Sequence, residues 1–160
     1  MILKGFKPRF PVDIDLSMFP TLQSFSLDIA FSPLMAGILL PKTFHIFNKM
    51  SGQCSIRDIV IIMGWTSTYP GDITDIVTSH EDWRLFDEVV TGSRFPFLKK
   101  LSLEFHLTYR RRVRPSDFPP SYDMSAMLSS GIRRCLPAVS ALESVDFVVD
   151  IQGPFYSNKG

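Results

Sequence analysis

One spacing constrains what this chain can fold into more than any other feature. An anchoring apolar residue, two positions of any type and then three apolar residues at alternate positions recur at Leu22/Phe25/Leu27/Ile29, Ile56/Ile59/Ile61/Met63, Leu98/Leu101/Leu103/Phe105 and Leu142/Val145/Phe147/Val149. Alternation with period two marks a strand with one buried face, because successive side chains leave a pleated backbone on opposite sides. The anchors stand at 22, 56, 98 and 142, giving steps of 34, 42 and 44 residues. Each step holds one strand and a connecting segment, so the chain reads as a repeated β-then-α unit.

The connecting segments carry helix signals. Pro41 suits a first helical turn, where its missing N–H has no intrahelical partner, and Ser51-Gly52 suits a stop, which predicts a helix over 41–50 with Phe44, Ile46 and Phe47 as its apolar stripe. Ser79 followed by Glu81 and Asp82 predicts a capped helix over 81–90, with Trp83, Phe86 and Val90 inward, Arg84, Asp87 and Glu88 mostly outward, and Gly92 as the stop. Asp123 predicts a cap for a third helix over 124–135, striped by Met124, Met127, Leu128 and Ile132 and closed by Leu136-Pro137. Ile59-Val60-Ile61-Ile62-Met63 is nearly continuous in apolar character, the pattern of an interior strand covered on both faces. Residues 152–160 are polar and read as a frayed end.

A strand-helix-strand unit wound repeatedly in one direction gives a parallel sheet with helices on its opposite side. The fold expected is therefore α/β, an irregular leucine-rich-repeat-like solenoid with parallel strands on one side and helices on the other. It forms a single domain over 1–160, with strands near 22–31, 56–64, 98–107 and 142–151. The steps exceed the roughly 20 to 29 residues usual for leucine-rich repeats, so the repeat is degenerate. The competing architecture is a compact open α/β sandwich holding a small-ligand or enzymatic pocket. Phe10-Pro11, echoed by Phe19-Pro20, reads as the remnant of an earlier repeat, and the chain as a fragment of a longer one.

Charge and composition exclude some functions. Lys plus Arg number 17 against 16 Asp plus Glu, a net charge of +1, which provides no basic field for nucleic acid. The longest charge-free apolar stretch, 29–41, is broken by Pro33, Gly37 and Pro41 and is too short to span a bilayer. Cys54 and Cys135 are far apart and no glycosylation sequon occurs, which predicts reduced thiols and an intracellular location, cytoplasm or nucleus. His45, His80 and His106 fall on different elements, and no metal, nucleophile-elbow or phosphate-loop motif is present, so no enzymatic activity and no cofactor are expected.

The candidate site is the wet face of the strands. Alternate positions place Ser26, Asp28, Val60, Ile62, Ser102, Glu104, His106, Asp146, Val148 and Asp150 on it, a mixture suited to a protein partner with basic and apolar side chains. The same alternation also fits a merely solvated sheet face. Arg110, Arg111 and Arg112, with Arg114 beyond them, form a basic stretch over 109–120 that reads as an exposed loop able to grip phosphate or acidic peptide. Ser116 lies beside it as a candidate phosphorylation position.

Asp82-Trp83-x-x-x-Asp87-x-Val89-Val90, a spacer, and Phe95-Pro96-x-Leu98-x-x-Leu101-x-Leu103 resemble a pattern in the C-terminal, leucine-rich-repeat-like regions of F-box proteins of mushroom-forming fungi. The resemblance implies a protein-recognition surface, with substrate selection for a ubiquitin ligase as the function. The family's F-box, which docks the ligase adaptor, opens with a Leu-Pro-x-Glu type motif that Met1 to Pro20 lack. Adaptor binding is accordingly expected only where an F-box lies in a longer chain.

Overall fold

The computed structural model describes residues 15–31, 46–47, 52–67, 81–110 and 124–157. A short 3-10 turn, Leu16–Met18, leads into β1 (Ser24–Phe31), then β2 (Asp58–Ser67), α1 (Asp82–Val90), β3 (Lys100–Arg110), α2 (Met124–Cys135), α3 (Pro137–Ser140) and β4 (Asp146–Ser157). The strands form one open sheet in the order β1-β2-β3-β4, and every neighbouring pair is parallel. The architecture is thus α/β with a four-stranded parallel sheet whose spatial order follows the chain.

Register follows the repeat. Phe25, Ile59, Leu101 and Phe147 stand in one row, Leu27, Ile61, Leu103 and Val149 in the next, and Ile29, Met63, Phe105 and Ile151 in the third. These rows point into a core that also takes Trp83, Phe86 and Val90 from α1, Leu128 and Ile132 from α2, and Ile46 and Phe47. Phe47 lies at its aromatic centre, with ring centroids 5.7 Å from Phe25, 5.3 Å from Phe86 and 6.1 Å from Phe95. Trp65 and Trp83 are buried there too, as packing and not as ligand-stacking surfaces.

The strand starts show how neighbouring strands are joined. Gln23 O accepts from the N–H groups of Arg57 and Asp58, and Arg57 O accepts from those of Lys99 and Lys100, so each strand presents a carbonyl forward to the next. A tight turn precedes β1 and β3, closed by Leu22 N–H to Phe19 O at 3.0 Å and Leu98 N–H to Phe95 O at 3.1 Å. Phe95-Pro96-Phe97-Leu98 is therefore a strand-start signature: Phe95 and Leu98 are buried, and Pro96 and Phe97 are exposed.

The fourth repeat departs from the expected spacing. Its turn is closed by Val145 N–H to Leu142 O at 3.2 Å, and Leu101 pairs with Phe147, not with Val145. One residue is missing between turn and strand, so Leu142 takes the place of Phe95, Val145 that of Leu98, and Leu142 is left exposed. The register slips by two, and because side chains alternate with period two, the buried face is unchanged.

Several local expectations are corrected. Gln152 to Ser157 are not frayed but extend β4 along β3. They do so across a one-residue bulge between the pairs His106/Gln152 and Thr108/Phe155, where Gly153 takes φ 107°, a conformation that favours glycine. Arg110 is not in a loop but ends β3. Asp87 is buried rather than exposed, and Met127 is exposed rather than buried, at 46%. Leu136-Pro137 does not simply close a helix; Pro137 starts a further turn, α3, and Leu136 is buried. Glu81 occupies the cap position of α1 without a side-chain hydrogen bond. Ser79, Asp123, Phe44 and most of the helix expected over 41–50 lie outside the described residues, although Ile46 and Phe47 are helical and buried.

Candidate functional site: the open face of the sheet

The described helices contribute to the inward rows, and the other face of the sheet is exposed at Asp28 and Asp150, half-buried at Val60, Ile62, Glu104 and Val148 and buried at Ser102. That face consists of the alternate residues of four parallel strands, which register sorts into rows. Ser24, Asp58, Lys100 and Asp146 form the first, Ser26, Val60, Ser102 and Val148 the second, Asp28, Ile62, Glu104 and Asp150 the third, and Ala30, Gly64, His106 and Gln152 the fourth. Adjacent strands are about 4.8 Å apart, so neighbours in a row touch or nearly touch.

The third row brings Asp28, Glu104 and Asp150 into one line, with Ile62 between the first two. Asp28 and Asp150 are exposed and Glu104 half-buried. Gln152 Nε2 donates to Asp150 Oδ2 at 2.9 Å, and Ser102 Oγ donates to Glu104 Oε1 at 3.5 Å, holding two of the carboxylates from positions two residues away. Asp146 belongs to a different row, shared with Asp58 and Lys100. Within these four rows the face carries Asp28, Asp58, Glu104, Asp146 and Asp150 against Lys100, a negative set on a chain whose net charge is +1.

Two predicted surface positions behave otherwise. Ser102 is buried, because Val60 and Val148 flank it from the neighbouring strands. Val60 and Ile62 are only half-buried, so β2 is interior within the sheet but not covered on both faces. His106 lies beside Gly64, whose missing side chain leaves room on its β2 side, and its buried Nε2 has no hydrogen-bond partner among the described residues. Ser26 is half-buried, as expected of a face residue. Arg111, Arg112, Arg114 and Ser116 lie outside the described residues.

Among the described residues no three His, Cys, Asp or Glu side chains come together as metal ligands, since Ile62 separates Asp28 from Glu104. Neither Cys54 nor Cys135 is in a disulfide. Burial pushes both thiols above their ordinary pKa, opposed at Cys54 by backbone hydrogen bonds and at Cys135 by the charge of Arg134. A raised pKa disfavours the thiolate that nucleophilic chemistry needs. No described helix is long and apolar enough to cross a membrane.

Comparison with protein families, with curated proteins and with solved structures gives no match. The functional reading therefore rests on the chain's own geometry.

Proposed function

We propose that this chain is a protein-interaction module, an irregular leucine-rich-repeat-like solenoid that recognises a partner carrying basic and apolar side chains across the open face of its sheet. One observation carries the reading: the face opposite the inward rows gathers carboxylates from β1, β3 and β4 into a single row around a half-buried isoleucine. Charge of this kind guides encounter and discriminates partners, while Val60, Ile62 and Val148 supply apolar contact. The sequential parallel order and the carbonyls presented from strand to strand support the solenoid description. The likeness to fungal F-box proteins makes the partner a ubiquitin-ligase substrate, with adaptor binding left to an F-box joined to this region.

The test is affinity purification, with and without the ligase adaptor, of the wild type and of a triple variant, Asp28→Asn, Glu104→Gln and Asp150→Asn. The substitutions are isosteric and on the open face, so stability should change by less than about 0.5 kcal/mol. The variant should lose a partner that the wild type retains, and an unchanged set of captured proteins would sink the proposal. A small-ligand reading has one feature in its favour, the unpartnered Nε2 of His106; it requires that His106→Ala, and not the triple variant, remove binding.

A further inference from the structure

The two ends of the sheet differ. At β1 the inward-facing Leu27 and Ile29 are buried nearly as fully as the central residues, at 3% exposure each, whereas the corresponding Val149 and Ile151 of β4 are only partly buried. Leu103 and Phe105, one strand further in, are at 0%. Among the described residues, the apolar core is therefore left open along the outer edge of β4.

The hydrogen bonding shows which main-chain groups face that edge. Asp146 donates its N–H to Lys99 O at 2.7 Å, and in a parallel ladder alternate residues bond to the same side, so Val148 and Asp150 also face β3. The main-chain groups of Phe147, Val149 and Ile151 then face outward. Arg133 Nη2 donates to Phe147 O at 3.1 Å, as this orientation requires, and its guanidinium lies 5.0 Å from the centre of the Phe147 ring. Arg133 thus occupies the start of the edge, and the bulge at Gly153, followed by Pro154 with no N–H, ends it. Between them, no strand among the described residues pairs with the main-chain groups of Val149 and Ile151.

We propose that the β4 edge, between Arg133 and the Gly153 bulge, takes a parallel strand from a protein partner with an apolar-basic-apolar pattern opposite Val149, Asp150 and Ile151. The pattern follows from extending the rows. Residues beside Val149 and Ile151 enter the core rows and must be apolar; the residue beside Asp150 extends a row already holding Glu104 and Asp150, so a cation complements it. A second copy of the chain is a poor occupant, because its β1 in the same register would place Asp28 against Asp150. Strand addition of this type draws affinity from main-chain bonds and specificity from alternate side chains. The site shares Asp150 with the open face, but the N-methylation pattern reports main-chain pairing along the β4 edge and does not depend on the face binding anything.

The probe is an acetylated, amidated Thr-Val-Lys-Val-Thr peptide titrated into the isotopically labelled chain and followed by amide chemical shifts. Saturable shifts are expected at Val149 and Ile151, with little change along β1. In a strand continuing the sheet, the Lys and Thr amides face β4 and the Val amides face away. N-methylation of Lys and the second Thr should therefore abolish binding, and N-methylation of the two Val residues should leave it. Asp150→Asn should weaken the peptide about threefold. Equal effects of the two N-methylation patterns, shifts centred on β1, or no saturable shifts at about 10 mM peptide would overturn the proposal.

Discussion

Asp87 provides the sharpest test of how α1 and α3 are held together. It projects from α1, is 4% exposed, and accepts 2.8 Å and 2.9 Å hydrogen bonds from the N–H groups of Ala138 and Val139, the first turn of α3. A carboxylate on α1 thus caps the first turn of α3, between residues 51 and 52 positions apart in sequence. Asp87→Ala removes both bonds. Ala138 is exposed and its N–H can turn to water, while the Val139 bond is buried and its N–H would be orphaned. Loss of a cap costs about 0.5–2 kcal/mol and an orphaned buried donor about 1–3, so the expected loss is about 2–4 kcal/mol. That is a large part of the roughly 5–15 kcal/mol by which domains are stable. Urea unfolding followed by the fluorescence of the buried Trp65 and Trp83 measures it directly. Glu88→Ala is the control on the same helix, because the 2.7 Å pair of Glu88 with Arg84 is exposed and should contribute less than about 0.5 kcal/mol. A loss below about 0.5 kcal/mol for Asp87→Ala would refute the cap as a stabilising link between α1 and α3.

Two further predictions concern the core and the thiols. Leu101→Asp and Leu27→Asp each place a carboxylate among the inward rows, where the wild-type residues are 0% and 3% exposed; each should abolish cooperative unfolding in urea, and a sharp transition in the double variant would contradict the assigned register. Cys54, buried and with its pKa raised, should react slowly with a thiol reagent in the native protein and readily in urea. Since the unfolded chain ionises its thiols first, stability should be fully present below the ordinary thiol pKa and fall as pH rises through and above it. Cys54→Ala should flatten that slope, and an unchanged slope in urea titrations across this range would exclude the thiol as its source.

Much of the sheet was legible because strand alternation is a local property. The inward set of Phe25, Leu27 and Ile29, then Ile59, Ile61 and Met63, then Leu101, Leu103 and Phe105 is the set that the apolar spacing marks. The helical stripe of Trp83, Phe86 and Val90 was equally plain at spacings of three and four. Asp87 was misplaced for a physical reason: a carboxylate beside that stripe belongs in water unless buried donors meet it, and its donors lie on α3. Met127 was misplaced because helical spacing defines a stripe without showing how wide a stripe the neighbours cover.

The candidate site divides the same way. Which residues can share a face follows from parity, so Asp28, Glu104 and Asp150 could be assigned to the open side from the sequence. Which of them stand together follows from register, and register depends on turns and hydrogen bonds between strands. The missing residue before β4 puts Phe147 beside Leu101 and so brings Asp150, not Val148, beside Glu104. Burial of Ser102 between Val60 and Val148, and the bare Nε2 of His106 beside Gly64, likewise depend on cross-strand neighbours.

The sequence by itself determined the α/β class and the inward face of each strand, because backbone geometry imposes periods of 2 and 3.6 on any chain that buries one side. Only the tertiary structure decided the rows of the open face, the continuation of β4 to Ser157, the cap from Asp87 and the contrast between a covered β1 and an open β4. These depend on contacts between residues tens of positions apart, whose pairing is set by the packing of the whole sheet and not by the residues around them.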